Sequence, residues 1–126
     1  MNHKCVMLVE DDSGLREALE DTLQLGGYKV VVCDCAETAI SRINEVRVDL
    51  IVSDIQMTGM TGIQLLQVVR NKFPNMPVIL MTAYAQIDDA VTAMQSGATD
   101  YIAKPFQPDV LLNLISRYAP AEMVDT

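Results

Sequence analysis

The stretch Cys5-Val-Met-Leu-Val-Glu-Asp-Asp12 decides the fold, because a continuous apolar run passes directly into acidic residues. An apolar run without polar alternation is typical of a strand that is covered on both faces of a parallel sheet. The next segment places Leu15, Leu19 and Leu23 on one helical face and ends at Gly26-Gly27. This strand followed by an amphipathic helix predicts an α/β architecture.

The same strand–helix unit recurs four more times along the chain. Further strand-like runs lie at residues 28–33, 49–53, 78–81 and 101–103. Segments with helical periodicity follow them at residues 36–46, 63–73, 87–97 and 108–118. Right-handed crossovers between such units give a doubly wound parallel sheet with helices on both sides. We therefore predict one α/β domain over residues 1–118, with residues 119–126 as the start of a linker.

Composition and charge exclude several classes of protein. The 126 residues carry a formal net charge of −8, which repels nucleic acid and anionic membranes, so we expect neither DNA contact nor membrane binding. No apolar run approaches the roughly 18 residues needed to cross a bilayer, and no signal peptide is recognisable, which predicts a cytoplasmic location. The odd number of cysteines argues against a disulfide framework, so Cys5, Cys33 and Cys35 are interpreted as buried or strand-end thiols.

Polar side chains follow four of the five predicted strands at the point where each strand ends. Glu10 and Asp11 follow the first strand, and Asp54 follows the third. Thr82 follows the fourth strand, and Lys104 follows the fifth. Each residue alone is explained by a solvated helix start, strand-end packing or a surface lysine. Because the carboxyl ends of parallel strands meet at one edge of a sheet, their joint placement indicates a functional site.

The residue types at this edge suit phosphoryl transfer. Carboxylates held close together resist ionisation unless a cation joins them, and an oxygen-only set suits Mg²⁺. With the metal bound, Asp54 can attack phosphorus as a nucleophile and form an acyl phosphate. Lys104 and the metal would neutralise the phosphoryl oxygens, and Thr82 would donate a hydrogen bond to the product. Asp12 or Ser13 is assigned to capping the first helix.

In these residues the chain resembles the receiver domains of two-component response regulators, the CheY-like family. The resemblance covers residues 4–118 and rests on Val9-Glu10-Asp11, Asp54, Thr82-Ala83 and Asp100-Tyr-Ile-Ala-Lys-Pro-Phe106, in this order and with fitting separations. It implies a flavodoxin-like sheet of five parallel strands in the order 2-1-3-4-5, with five helices. It also implies a signalling module that catalyses only its own phosphorylation and dephosphorylation, rather than an enzyme.

The resemblance implies a ligand set and a phosphoacceptor. Glu10, Asp11 and Asp54 would hold Mg²⁺ (or Mn²⁺) together with the backbone carbonyl of Gln56. Asp54 would receive the phosphoryl group from a sensor histidine kinase. The chain's own output domain in a longer protein is a further implied partner, and a homodimer is left open.

The resemblance also implies a switch and one departure from the family pattern. Thr82 and Tyr101 would form the switch pair, and Lys104 would bind the phosphoryl group beside a cis bond to Pro105. The family usually has proline four residues after the phosphoacceptor, where this chain has Thr58. That difference predicts a looser loop, with consequences for metal affinity or for the lifetime of the phosphoryl group.

Two stretches place the chain more narrowly within the family. Residues 9–19 and Leu80-Met-Thr-Ala-Tyr84 are most similar to NtrC-type transcription activators, and within that type to flagellar-gene regulators. Such proteins carry an ATPase domain and a helix-turn-helix domain after the receiver, and neither is in these residues. The resemblance therefore implies a regulatory segment that controls transcription through another part of a longer protein.

A responsive face is expected where phosphorylation would be sensed by a partner. It would comprise residues 87–97, Tyr101 and residues 108–118. Three apolar residues within it are interpreted as core, with an interface role left open: Ala93, Met94 and Val110.

Three other functions occur on α/β folds of this kind. A phosphatase of the haloacid-dehalogenase type also uses a strand-end aspartate. Such enzymes carry an Asp-x-Asp motif there, and Gln56 of this chain cannot serve as the second, acid–base aspartate. A receiver-like binding module that is never phosphorylated stays open because of Thr58. A dinucleotide-binding half-domain would need a glycine-rich GxGxxG motif after the first strand, where the chain has acidic residues.

Overall fold

Strands and helices alternate along the chain. The structure is a computed structural model that describes residues 3–83 and 87–121, apart from the side chains of Ile87 and Asp89. The strands are β1 (Cys5–Val9), β2 (Lys29–Cys33), β3 (Leu50–Asp54), β4 (Val78–Ala83) and β5 (Asp100–Lys104). The helices are α1 (Ser13–Leu25), α2 (Ala36–Ile43), α3 (Gly62–Lys72), α4 (Ile87–Gln95) and α5 (Pro108–Tyr118). The predicted succession of strand–helix units is confirmed.

The five strands form one parallel sheet in the order β2-β1-β3-β4-β5. This order confirms the predicted flavodoxin-like, doubly wound arrangement, in which the strand order reverses between β1 and β3. Val9 pairs with Ser53 in the register of these two strands. Glu10 and Asp54, the next residues along each strand, therefore reach the same edge of the sheet at the same height.

The side chains of β1 explain why the apolar runs are continuous. Met7 and Val9 belong to a core on one face of the sheet, whereas Val6 and Leu8 belong to a core on the other. Helices α2, α3 and α4 cover the first core, and α1 and α5 cover the second. Each fully buried side chain of this size contributes roughly 1.5–3 kcal/mol. Two covered faces therefore hold the central strands rigidly and fix the positions of the residues at their ends.

Two helix ends refine the expectations from sequence. The side chain of Asp12 accepts a 3.1 Å hydrogen bond from the N–H of Leu15, so Asp12 rather than Ser13 caps α1. Helix α2 ends at Ile43, earlier than the predicted residue 46, because the chain tightens there into a turn in which the N–H of Glu45 donates to the carbonyl of Arg42.

The interpretation of three residues as core is right for one of them. Ala93 lies on the inner face of α4 and is buried. Met94 and Val110 are 44% and 48% exposed, so the core assignment was wrong for these two. Helix α4 rests on the sheet through its small residues Ala90 and Ala93, which lie one turn apart on the same face. Met94, one position further around the helix, therefore points away from the core.

The cysteines and the chain end agree with a small packed domain. All three cysteines are free thiols, Cys5 and Cys33 are buried, and burial raises the pKa of Cys33 to about 11.

Ala119 is buried, and its carbonyl accepts a 2.8 Å hydrogen bond from the hydroxyl of Tyr28. Residues 122–126 of the predicted linker lie outside the described residues. Within the described ranges no helix is both long and apolar enough to cross a membrane.

Candidate functional site

Lys104 bridges two carboxylates at the carboxyl edge of the sheet. Its Nζ lies 3.0 Å from Glu10 Oε1 and 3.2 Å from Asp54 Oδ2. Glu10 is 1% exposed and Asp54 is buried. A carboxylate in such a position is costly unless a cation or hydrogen-bond donor compensates it. Lys104 supplies that compensation to both acids from the end of β5.

Burial and ion pairing act in opposite directions on these groups. Burial raises the pKa of Glu10, although hydrogen bonds from Lys104 and from the N–H of Asp12 oppose the shift. Burial also lowers the pKa of Lys104, but the Glu10 hydrogen bond and the charge of Asp54 outweigh it and hold that pKa above its usual value. The ammonium therefore stays charged at neutral pH, within hydrogen-bond reach of Asp54.

Three carboxylates, two of which contact Lys104, form an oxygen cluster. Glu10, Asp11 and Asp54 each offer an oxygen atom, and these atoms lie within 4.8 Å of one another. Asp11 is exposed, so the cluster is open to solvent on one side. Hard oxygen donors with an open side fit a small divalent cation that retains several waters. Such a cation would also neutralise the negative charge that the single ammonium leaves uncompensated.

Backbone contacts fix the two acids of the central strands. The Arg16 Nη1 donates to the carbonyl of Glu10 at 2.8 Å, and the N–H of Asp12 donates to Glu10 Oε2 at 3.2 Å. On the β3 side, a Cβ on Gly62 would overlap the carbonyl oxygen of Asp54, so only glycine allows α3 to begin so close. Helical periodicity singles out neither Arg16 nor the close approach of Gly62 to Asp54.

The remaining predicted residues lie around the cluster in different ways. Thr82 is buried at the end of β4, and its hydroxyl donates to the carbonyl of Ala83 at 3.3 Å. Thr82 pairs with Ala103, the residue before Lys104 in β5. Tyr101 is exposed on β5, pairing with Leu80.

Two further predicted residues lie on loops at this edge. Gln56 is exposed, two residues after Asp54. The bond between Lys104 and Pro105 is cis. The structure thus brings Glu10, Asp11, Asp54 and Lys104 together, whereas Tyr101 stands apart with its side chain in solvent.

A family model described as the response regulator receiver domain matches residues 6–116. The chain belongs to this family. Phosphorylation of an aspartate is the general mechanism of receiver domains, which bind Mg²⁺ at an acidic pocket and interact with histidine kinases and output domains. This receiver domain has an acidic cluster at the carboxyl edge of its sheet, formed by Glu10, Asp11 and Asp54.

Curated relatives confirm the similarity to NtrC-type regulators. The receiver domain is 49% identical over 118 residues to the response regulator protein FleR of Pseudomonas aeruginosa, covering 94% of this chain and 25% of FleR. It is 36% identical over 117 residues to the DNA-binding transcriptional regulator NtrC of Klebsiella pneumoniae, covering 93% of this chain and 25% of NtrC. The chain thus spans about a quarter of the length of these relatives.

Solved structures confirm the fold. The crystal structure of FixJ-N superimposes with a TM-score of 0.87 at 31% identity and covers 100% of both chains. The structure of the chemotaxis protein CheY4 of Vibrio cholerae superimposes with a TM-score of 0.88 at 28% identity, covering 93% of this chain and 99% of CheY4.

Proposed function

We propose that Asp54 of this receiver domain accepts a phosphoryl group from a sensor histidine kinase in a reaction that depends on Mg²⁺. The observation that carries the proposal is the position of Asp54, whose Oδ2 lies 3.2 Å from the Lys104 ammonium inside the cluster with Glu10 and Asp11. A carboxylate at the end of a rigid central strand, beside a permanent cation, is suited to nucleophilic attack on phosphorus.

The transfer step uses an oxygen of Asp54 as the nucleophile. A bond forms between this oxygen and phosphorus, while the bond from phosphorus to the imidazole nitrogen of the kinase histidine breaks. The imidazole leaves with the electron pair of that bond, and Asp54 becomes an acyl phosphate. In the later hydrolysis water would attack the phosphorus, the bond from phosphorus to the Asp54 oxygen would break, and inorganic phosphate would leave, which restores the carboxylate. The chain would therefore catalyse only its own modification and its reversal.

Charge neutralisation at the phosphoryl oxygens would come from Lys104 and a bound metal ion. Glu10, Asp11 and Asp54 would hold Mg²⁺ or Mn²⁺ with the backbone carbonyl of Gln56, and the metal would supply positive charge to the phosphoryl oxygens during transfer. Lys104 needs only a small displacement from its present contacts, because it already lies beside Asp54.

The signal would leave the site through a switch in β4 and β5. Thr82 would move its hydroxyl from the Ala83 carbonyl to the phosphoryl group, and Tyr101 would turn inward from solvent. Phosphorylation would shift an equilibrium between two states, and moving it from mostly inactive to mostly active requires roughly 5 kcal/mol of differential stabilisation.

The surface that reads this switch is called here the switch face. It is the exposed side of α4, β5 and α5, and its exposed apolar side chains include Val91, Met94, Tyr101 and Val110. Apolar side chains clustered in solvent mark interaction surfaces. We propose that this face contacts the output portion of a longer cytoplasmic protein, or a second receiver domain in a homodimer, and so regulates transcription. The acidic segment itself makes no DNA contact in this proposal.

Intact mass spectrometry after incubation with acetyl phosphate and Mg²⁺ tests the proposal. Wild type and Asp100→Asn, a matched change at an acid that lies outside the cluster, are each expected to gain one phosphoryl group. Asp54→Asn is expected to gain none. Equal gain in Asp54→Asn would contradict the assignment of the phosphoacceptor. No gain in any of the three proteins would favour a receiver-like binding module that is not phosphorylated.

A further inference from the structure

Two carboxylates from other segments hold the loop that follows β3. The N–H of Thr58 donates to Asp11 Oδ2 at 3.1 Å, and the N–H of Met60 donates to Glu37 Oε2 at 3.3 Å. Asp11 follows β1, and Glu37 lies in the first turn of α2. The loop is therefore attached by its backbone at two points, one of which is a member of the oxygen cluster.

Asp11 differs from the other two acids of the cluster. Glu10 and Asp54 are buried, and the Lys104 ammonium contacts both of them. Asp11 is exposed, and its carboxylate accepts a restraining hydrogen bond from the N–H of Thr58. An exposed carboxylate without a restraint loses rotational freedom when it binds a cation, and that loss weakens binding.

The Thr58 donor can restrain Asp11 without consuming its capacity to bind a metal. A carboxylate has two oxygens and about four lone-pair positions, so one hydrogen bond leaves most of them available. The donor is a backbone N–H, and its position is set by the loop rather than by a side-chain rotamer. Met57, the residue before Thr58, is buried in the core on the side of α2 and α3 and anchors the loop next to this donor.

We propose that the backbone N–H of Thr58 is a positioning group that orients Asp11 and thereby strengthens the binding of a divalent cation by the cluster. The inference rests on the proposed function, because it assigns the same cluster to the metal. Thr58 touches neither the cation nor the phosphoryl group and acts through Asp11 alone. Its hydroxyl has no part in the effect, so the amide hydrogen is the group that a variant must remove.

Calorimetric titration of the whole chain with Mg²⁺, without any phosphate donor, measures this effect apart from phosphorylation. Thr58→Pro removes the N–H, whereas Thr58→Ala removes the side chain and keeps it. Loss of one hydrogen bond of ordinary strength predicts a dissociation constant roughly three- to tenfold larger for Thr58→Pro. Thr58→Ala is expected to stay within about twofold of wild type on the same argument.

The possible outcomes separate the positioning role from the proposed function. If Thr58→Pro binds Mg²⁺ as tightly as wild type, or if Thr58→Ala loses as much affinity, the positioning role is wrong while the metal site stands. If wild type binds no Mg²⁺, the metal site itself is wrong, and the positioning role is wrong with it.

Amide resonances test the same contact without altering the loop. In metal-free protein, Asp11→Ala is expected to move the Thr58 amide proton upfield and to speed its exchange with solvent, while the Met60 amide keeps its wild-type behaviour. Glu37→Ala is expected to move the Met60 amide proton upfield and to speed its exchange, while the Thr58 amide keeps its wild-type behaviour. A Thr58 amide that does not respond to Asp11→Ala would overturn the proposal even if Thr58→Pro failed to fold.

Discussion

The carboxyl edge of the sheet buries charged groups, whereas the switch face exposes apolar ones. At the edge, Glu10 and Asp54 are removed from solvent and share one ammonium. On the switch face, Met94 and Val110 are about half exposed although α4 and α5 each have a well-packed inner side. Both regions depart from the usual distribution of polar and apolar groups, in opposite directions.

The difference shows where each region obtains its stability. The buried acids depend on specific partners, because an uncompensated charge inside a protein is costly. The exposed apolar residues depend less on contacts within the domain, because about half of each side chain lies in solvent. Substitutions at the edge should therefore change the free energy of unfolding strongly, and substitutions on the switch face should change it little.

Among substitutions at the edge, the largest effect on stability is expected for Gly62→Ala. The added Cβ would overlap the Asp54 carbonyl, so backbone must shift, and we expect a loss of about 3 kcal/mol in the free energy of unfolding measured with urea. Gly14→Ala in α1 is the matched control, because its nearest neighbour would be Asp12 Oδ1 at an ordinary 3.5 Å. Equal effects of the two changes would show that the start of α3 does not press on Asp54.

A smaller loss is expected for Lys104→Met. This change leaves Glu10 and Asp54 without their shared cation, and we expect a loss of about 2 kcal/mol, below the range for fully buried pairs because Lys104 is partly exposed. The control is Arg47→Met, which breaks the pair with Asp49 at a side chain that is 77% exposed and should change stability little. Similar losses in urea unfolding would mean that the bridge at the edge is no stronger than a surface pair.

Glu10→Gln is expected to alter the pH dependence of stability. The pKa of Glu10 is raised in the folded protein, so the folded state holds this proton more tightly than the unfolded state. The stability from that proton is present below the ordinary glutamate value of 4.5 and is lost as pH rises through the folded pKa. Unfolding free energies measured from pH 4 to pH 8 should therefore fall relative to Glu10→Gln as pH rises. A difference in unfolding free energy that stays constant with pH would show that burial does not raise the pKa of Glu10.

The smallest effect is expected on the switch face. Val110→Ala should change the free energy of unfolding by less than about 0.5 kcal/mol, because its side chain is half exposed. Its neighbour Leu111 is fully buried, and Leu111→Ala should cost about 3 kcal/mol in the same urea experiment. A large loss for Val110→Ala would remove the contrast between the two regions, since it would make Val110 part of the core.

The edge could be predicted from sequence because a simple rule of parallel sheets applies to it. Acids after β1 and β3, a threonine after β4 and a lysine after β5 must meet wherever those strands are parallel neighbours. The bridge from Lys104 to Glu10 was less predictable. The resemblance associates this lysine with a phosphoryl group, and in the structure its ammonium contacts Glu10 and Asp54.

The switch face and the loop contacts could not be predicted in the same way. Helical periodicity shows that Ala93 and Met94 lie near an apolar stripe, but it cannot distinguish a side chain that meets the sheet from one that meets a partner. Gly62 approaches the Asp54 carbonyl across the loop between β3 and α3, and the N–H of Thr58 donates to the side chain of Asp11, 47 residues away in the sequence. Such contacts depend on loop geometry, which leaves no periodic signal in the residues.

The most direct test of the phosphoacceptor is to locate the modified residue chemically. An acyl phosphate is reduced by borohydride to an alcohol, so a phosphorylated aspartate becomes homoserine, which tandem mass spectrometry of the digested chain can place. After treatment with acetyl phosphate and Mg²⁺, we predict homoserine at position 54 and unmodified acids at positions 10 and 11. Homoserine at position 11, with Asp54 intact, would contradict the central assignment.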